Sequence, residues 1–388
     1  MKKFLKLLLI ILLIIGTNLI TFGFVTKNFL GAEDQEKFLK IKLLENKIKK
    51  DYLYEVIDED LRDGELKGMV AALKDPYSEY LTEEDLKEMN QETSGSFYGI
   101  GFTVYKNENN QIEVVSPIKD TPADRAGIKS KDIVVKVNGK NYTGDEMKEA
   151  IKVIKGEKGS TVHLTIYRPS TKKTLEMDVE RAEIKIETVI SHKIENLGYI
   201  GIIQFNDHTD EEFKTHLDEL KKQNVNGLII DLRGNPGGTV SSVVKIADML
   251  LPEGTIVSAK DKNHKIVFEY KSDKDQYDKP IVVLINEGSA SASEILSGAI
   301  KDFNRGKLVG VKSFGKGIVQ TVFPFQDGTG VKLTTSEYFT PSGENIHNIG
   351  IKPDIEVKLK DDVKGIGYEY LKEDTQLQKA IEVLKKEV

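Results

Sequence analysis

Ser291, Lys316 and Gln320 are the residues of this chain whose types and spacing point to chemistry. Ser291 lies in a loop of small residues, Gly288-Ser289-Ala290-Ser291-Ala292-Ser293. Lys316 stands in the glycine-bracketed turn Phe314-Gly315-Lys316-Gly317, and Gln320 follows in the strand-like run after it. A serine that gives its proton to a neutral amine becomes a nucleophile able to attack a carbonyl carbon. A lysine that leads straight into the apolar run GIVQTVFPF sits near a core, where burial disfavours its charge and lowers its pKa. To act as a base near neutrality it must fall by roughly 3 units from ~10.4. The side-chain amide of Gln320 has the groups to orient such an amine. Taken alone, the serine-rich loop reads as a helix cap; its pairing with Lys316 and Gln320 makes the case for catalysis.

The surrounding elements put Ser291 at a useful place. Ile281 to Ile285 reads as a buried strand, and a helical pattern runs from Ala292 to Phe303, with Ile295, Leu296, Ala299 and Ile300 on one face. Ser291 is therefore where a strand hands over to a helix N-terminus, where unpaired N–H groups and the positive end of the dipole collect. Upstream, Leu197 to Phe205 reads as a strand, Glu211 to Asn224 as a helix and Gly227 to Leu232 as a buried strand. The turn Arg233-Gly234-Asn235-Pro236-Gly237-Gly238 follows, and then a helix from Thr239 to Leu251. This alternation predicts a mixed sheet covered by helices. The DLRGNPGG turn has neither GxxxxGK[ST] nor GxGxxG, which argues against a phosphate loop. Downstream, Val331 to Phe339 gives a further strand. A last helix from Asp374 to Lys386 has Leu377, Ile381 and Leu384 in phase.

Residues from Gly95 to Val179 form a separate unit with a strand Phe102 to Tyr105, a helix Asp145 to Lys155 and a strand Thr161 to Tyr167. The combination GIGF, TPADRAGI and DIVVKVNG resembles a bacterial PDZ domain. That resemblance implies that Tyr98, Gly99, Ile100, Gly101 and Phe102 bind the end of a peptide. The glycines let consecutive N–H groups turn toward its carboxylate, and the peptide adds as a strand beside Phe102 to Tyr105. Arg168, at the exit from this unit, is a candidate for coupling peptide binding to the catalytic residues. Before it, Glu33 to Asn90 reads as helical. Phe38, Ile41, Leu44 and Ile48 form a stripe that continues through Tyr52 and Val56; Pro76 breaks the pattern and Thr82 restarts it.

At the start, Lys2, Lys3 and Lys6 accompany an apolar run from Phe4 to about Val25. A membrane span needs ~20 residues, and this run suits it better than the shorter core of a signal peptide. An uncleaved anchor is favoured over a cleaved signal. Under either reading the protein is exported, and the charge bias puts everything after residue 30 outside the cytoplasm. At 388 residues the chain is too long for one ordinary core, so two or more domains are expected. Apolar residues at 39% and charged ones at 30% describe a soluble globular region, and a net charge of −6 gives no reason to expect nucleic acid binding. The absence of cysteine excludes disulfides, thiolate catalysis and cysteine-bound zinc. Six scattered histidines contain no HExxH pair, so neither a metal nor another cofactor is expected.

From residue 31 onward nearly the whole chain resembles the carboxy-terminal processing peptidases, serine–lysine peptidases of family S41 with an embedded PDZ domain. The nucleophile of that family is the middle serine of SASASE, here Ser291. Its base is the lysine of FGKG, here Lys316, and a supporting glutamine corresponds to Gln320. The resemblance further implies backbone oxyanion donors at Ala292 and at Gly237 or Gly238. The segment Asp75-Pro76-Tyr77-Ser78-Glu79-Tyr80-Leu81 matches helical regions that pair subunits in the family, which implies a homodimer.

The implied fold is α+β and multidomain. A membrane segment (residues 1–30) precedes a helical region (31–94), a PDZ-like β/α domain (95–180), an α/β crotonase/ClpP-like peptidase core with a mixed sheet (181–360) and a C-terminal helical region (361–388). The implied activity is that of an exported serine endopeptidase that captures proteins with apolar C-terminal tails and cleaves near them. Two other readings stand beside it. One is a membrane-anchored PDZ scaffold without catalysis. The other takes Ser313-Phe314-Gly315-Lys316 as the SxxK of penicillin-interacting enzymes, though no SDN or KTG accompanies it. No GxSxG surrounds any serine, which disfavours a Ser-His-Asp triad.

Overall fold

The computed structural model describes residues 32–360 and 363–388, together with 13, 16 and 17. The apolar run Phe4 to Val25 falls, but for those three residues, outside this range. Among the described residues no helix is long and apolar enough to cross a membrane. The chain divides into two compact units, Met1–Tyr80 and Leu81–Val388.

Residues 32–80 of the first unit include the helices Ala32–Asp51 and Asp58–Ala71. The apolar stripe does not run through Tyr52 and Val56 as a single helix. Aromatic and β-branched residues, weak helix formers, occupy the break, and Asp58, Glu59 and Asp60 open the second helix, where negative charge meets the positive dipole end. Phe38, Leu39, Leu43 and Leu44 are exposed, and the second helix buries no residue at all.

The second unit holds two regions, each with a sheet and a core of its own. A mixed sheet runs in the order Val189–Ile194, Leu197–Ile202, Leu228–Asp231, Ile281–Ile285, Gly306–Gly310, Ile355–Glu356. The first pair is antiparallel and every later pair parallel. Strands Leu228–Asp231 and Ile281–Ile285 are buried throughout, as expected of parallel strands covered on both faces. Helices Thr209–Lys222, Val240–Asp248 and Ala292–Asp302 contribute to the core on one face. On the other, Leu377, Ala380 and Leu384 of helix Thr375–Lys385 pack on Ile229, Val282 and Leu284.

Helix Ala292–Asp302 departs from the one-faced pattern, since Ala292 through Ile300 are all buried. Its small face is covered too: a Cβ on Gly298 would stand 3.1 Å from both Ile351 and Thr340. Ser297 satisfies its hydroxyl on the carbonyl of Ser293 at 2.7 Å. An antiparallel sheet of Ile318–Pro324, Gly330–Phe339, Gly254–Asp261 and Ile266–Ser272 lies beside this core.

The PDZ-like region is built on the sheet Phe102–Lys106, Ile112–Pro117, Ile133–Val137, Thr161–Arg168, Lys173–Glu180. Its core includes Ile112, Val134, Ala150, Leu164 and Ile166, and the helix that flanks the sheet is Met147–Ile154.

Candidate active site

Three neighbouring parallel strands, Leu228–Asp231, Ile281–Ile285 and Gly306–Gly310, end at the same edge of the mixed sheet. Their C-terminal ends release the Arg233–Gly238 turn, the loop to Ser291, and the turn holding Ser313 to Gly317. In open parallel sheets the crevice outside the carboxyl ends of the strands is where ligands meet the fold.

Ser291 is the N-cap of helix Ala292–Asp302, half-buried, with φ 52° and ψ −112°. An L-residue is strained there, and such backbone persists only where its surroundings over-determine it. Those surroundings centre on Glu294, a residue the sequence reading passed over because glutamate three positions after a serine is an ordinary capping partner. Glu294 is completely buried. Its Oε1 accepts the Ser313 hydroxyl at 2.5 Å and the Gly315 N–H at 2.7 Å. Its Oε2 accepts the Lys316 N–H at 2.8 Å and the Ser291 N–H at 3.0 Å. One carboxylate oxygen thus ties the backbones of Ser291 and Lys316 together. Ser313 also accepts the Ile351 N–H at 2.7 Å, so its hydroxyl is a structural brace within this network. The Tyr338 hydroxyl donates to the Ser291 carbonyl at 3.3 Å. Burial, and then the neighbouring Glu294, push that hydroxyl's pKa well above the usual tyrosine value, so it remains a donor.

The DLRGNPGG turn is locked against the same loop. The buried Asn235 donates to the Ile202 carbonyl and accepts the Gly237 N–H, both at 2.8 Å. Its own carbonyl accepts the Ala290 N–H and the Ser293 hydroxyl, both at 3.0 Å. A Cβ on Gly237 would lie 2.8 Å from the Ser291 Cβ, and one on Gly238 only 1.8 Å from the Phe205 carbonyl oxygen, so neither position admits a side chain. The two glycines differ in their N–H groups. That of Gly237 is taken by Asn235. The Gly237 carbonyl and the Thr239 N–H both face Phe205, which turns the Gly238 N–H the other way. Among the described residues neither the Gly238 nor the Ala292 N–H has a partner, and Gly238 is exposed.

Behind this turn lies a buried ionic network. Arg233 donates to Asp231 from Nε at 2.9 Å and Nη2 at 2.6 Å, and to Asp374 from Nη1 at 2.9 Å and Nη2 at 2.7 Å. A further Nη1 bond reaches Gln376 Oε1 at 3.0 Å, which engages all the donors a guanidinium has. Burial opposes its charge, yet the flanking carboxylates outweigh that and hold the Arg233 pKa above the ordinary value. Burial likewise opposes the Asp374 charge, but hydrogen bonds from Arg233 keep its pKa below the usual carboxylate value. Tyr199 adds a bond to Asp231 at 2.9 Å. Asp374 lies 141 positions from Arg233, and no local pattern announces the pairing.

Gln320 stands in strand Ile318–Pro324 beside a register shift, and its amide donates to Thr334 Oγ1 at 3.2 Å. In the PDZ-like region, Phe102–Lys106 is an edge strand, paired among the described residues only with Ile112–Pro117. The Ile100 carbonyl accepts the Ala123 N–H at 2.7 Å, and the Gly101 carbonyl accepts the Ile118 N–H at 3.0 Å and the Thr121 hydroxyl at 2.9 Å. The N–H groups of Ile100 and Gly101 have no partner among the described residues. Gly101 has φ +82°, and a Cβ there would meet Thr121 at 2.5 Å, so glycine is required. Gly99 and Tyr98 pair with Ala182 and Glu183. Arg168 lies inside the domain, where it grips Asp132 through Nε at 2.8 Å and Nη2 at 2.7 Å and reaches the Gly127 carbonyl.

Most of the chain matches known families. Residues 196–357 match peptidase family S41, residues 98–179 match the PDZ domain, and residues 24–85 match the activating protease CtpB N-terminal domain. A probable CtpA-like serine protease of Staphylococcus epidermidis is 39% identical over 335 residues, covering 85% of this chain and 67% of its own. One of Staphylococcus aureus is 37% identical over 409 residues, covering 95% and 82%. Among solved structures, the photosystem II D1 C-terminal processing protease is 32% identical with a TM-score of 0.50, over 84% of this chain and 89% of that one. This chain belongs to the CtpA-like serine proteases of peptidase family S41 and is a serine-type carboxy-terminal processing peptidase with a PDZ domain.

Proposed function

We propose that the chain is an endopeptidase working through a serine–lysine pair, Ser291 as nucleophile and Lys316 as base. The observation that carries this reading is the shared Oε2 of Glu294, which binds the N–H groups of both residues. The neutral Lys316 amine takes the proton of Ser291 Oγ as Oγ bonds to the scissile carbonyl carbon. The developing oxyanion accepts from the N–H groups of Ala292 and Gly238, which are oriented before the substrate arrives. The carbon–nitrogen bond then breaks, and Lys316 returns its proton to the leaving amine. Water, deprotonated by the same amine, releases the acyl group and restores Ser291. Gln320, steadied by Thr334, orients the amine. No step calls for a metal or cofactor.

Substrates enter by their C-terminal tails. The unpaired edge of Phe102–Lys106 accepts an extended peptide as an added strand, and the Ile100 and Gly101 N–H groups receive its terminal carboxylate. Arg168 couples that occupancy to the core. The protein is exported and held at the membrane by its N-terminal apolar run. It pairs with a second copy through the exposed apolar residues of helix Ala32–Asp51. Replacing Leu39 and Leu43 by glutamate then converts the dimer to a monomer in sedimentation.

The decisive test is cleavage of an unfolded protein with an apolar C-terminal tail by wild type, Ser291→Ala and Lys316→Ala across pH. The expected result is loss in both variants and a wild-type rate that rises with pH as the lysine deprotonates. Cleavage by Ser291→Ala would assign the nucleophile elsewhere. Tail binding without turnover in the wild type would leave the membrane-anchored scaffold.

A further inference from the structure

The structure assigns Asp374, at the start of the C-terminal helix, the part of a positioning residue for the oxyanion turn. This inference rests on the serine–lysine reading above and extends the site to a segment 83 positions past the nucleophile.

The geometry is a clamp with two jaws. Asp231 closes the strand Leu228–Asp231 and holds one side of the Arg233 guanidinium; Asp374 holds the other. Asp374 is itself fixed by four donors: its Oδ1 accepts Arg233 and the Leu377 N–H at 2.9 Å, and its Oδ2 accepts Arg233 and the Gly367 N–H at 2.8 Å. The side chains of Arg233 and Asp374 are wholly inaccessible to solvent. From Arg233 the chain passes through Gly234, whose N–H bonds Asn286 Oδ1 at 2.8 Å, to Asn235 and the two glycines. The turn that presents the Gly238 N–H is therefore pinned at its root by the clamp and in its middle by Asn235.

A buried ion network is a poor source of stability compared with apolar residues of the same volume, but it fixes geometry well. Asp374 caps the C-terminal helix through the Leu377 N–H, but the helix also has an apolar anchorage of its own. Leu377, Ala380 and Leu384 seat it on the sheet, and Leu384 approaches Gly227 so closely that a Cβ there would stand 2.9 Å from it. The carboxylate is thus free to serve orientation. The distance over which donors reach an oxyanion leaves little room for a loose turn.

The experiment compares the full chain with Asp374→Asn and Leu377→Ala, with Ser291→Ala in parallel. It measures thermal unfolding, kcat and KM on a tailed unfolded substrate, and the rate of labelling by a fluorophosphonate. Asparagine keeps the shape of Asp374 but removes the charge that grips Arg233. Leu377→Ala loosens the same helix through its apolar face and leaves the carboxylate alone. Asp374→Asn is expected to lower kcat and the labelling rate at least about 10-fold, as for a weakened transition-state contact, with KM within about twofold because KM follows tail capture. Leu377→Ala is expected to lower the melting temperature at least as much while kcat stays near wild type. A folded Asp374→Asn protein with wild-type kcat, beside a silent Ser291→Ala, overturns this inference alone. An equal loss of kcat in Leu377→Ala overturns it too, because the effect is then one of general loosening. Turnover by Ser291→Ala overturns the nucleophile assignment and this inference with it.

Discussion

Arg233 and Arg168 are both gripped by aspartates, yet the two clamps are built differently. Arg233 joins Asp231 to Asp374, across a sequence gap of 141 positions, and gives its remaining donor to Gln376. Arg168 uses one aspartate and one carbonyl, all within the PDZ domain, and its side chain keeps 15% exposure. The first arrangement ties the root of the Arg233–Gly238 turn to the start of the C-terminal helix. The second closes a domain in which one edge of Phe102–Lys106 is unpaired among the described residues. Catalysis needs donors oriented in advance; capture of a varied tail needs an edge that accepts main chain and fixes little else.

The comparison breaks most easily at Arg233. Arg233→Met leaves two buried carboxylates without their cation, which costs about 3–5 kcal/mol. Activity should vanish while tail binding by the PDZ domain persists in a fluorescence titration. Retained activity would mean that the ionic network does not set the turn. Next comes Glu294→Gln. The amide offers one acceptor oxygen where four donors converge. Losing hydrogen bonds to a charged group, at about 1.5–3 kcal/mol each, should lower kcat on the order of 100-fold with KM little changed. A smaller effect is expected for Arg168→Ala, about 1–3 kcal/mol in the stability of the PDZ domain. Cleavage of a short substrate without a tail should be intact, and its stimulation by added tail peptide lost. A wild-type response to that peptide would remove Arg168 from the coupling.

The smallest effect separates the two regions by pH. Asp374 has a folded pKa below its ordinary value of 3.8. Its stabilisation is therefore present above the unfolded pKa and disappears as the pH falls through the folded one. His163 in the PDZ domain has its pKa raised above 6.5, mainly by Asp178, with burial opposing and Glu176 adding to the rise. Its stabilisation is full below 6.5 and fades as the pH climbs through the folded value. Melting curves should show the core weakening toward acid, less so in Asp374→Asn. The PDZ domain should weaken slightly toward alkali, an effect absent in His163→Gln.

Local pattern carried much of this site. The all-apolar Ile281–Ile285 and the small-residue loop after it put Ser291 at a strand-to-helix junction, where the fold has it. What escaped was long-range or ambiguous. Glu294 is not singled out by the sequence because nothing nearby says that Ser313, Gly315 and Lys316 will fold over it. The Arg233–Asp374 pair is invisible for the same reason. The hairpin Gly254–Asp261 with Ile266–Ser272 went unread because lysines and acids interrupt its alternation, and its second strand is largely exposed. Gly237 and Gly238 read alike in the sequence, and what distinguishes their N–H groups is one side chain, Asn235, whose amide oxygen takes only the first.

The backbone of Ser291 has one more consequence. At φ 52° and ψ −112° it occupies the mirror image of an extended conformation, comfortable for glycine alone. Wild-type protein thus holds Ser291 against a local preference worth on the order of 1 kcal/mol. Ser291→Gly relieves that strain, and the inactive protein should melt above the active one. At this single position durability and turnover are opposed, and selection for heat resistance without selection for cleavage would drift toward the silent form.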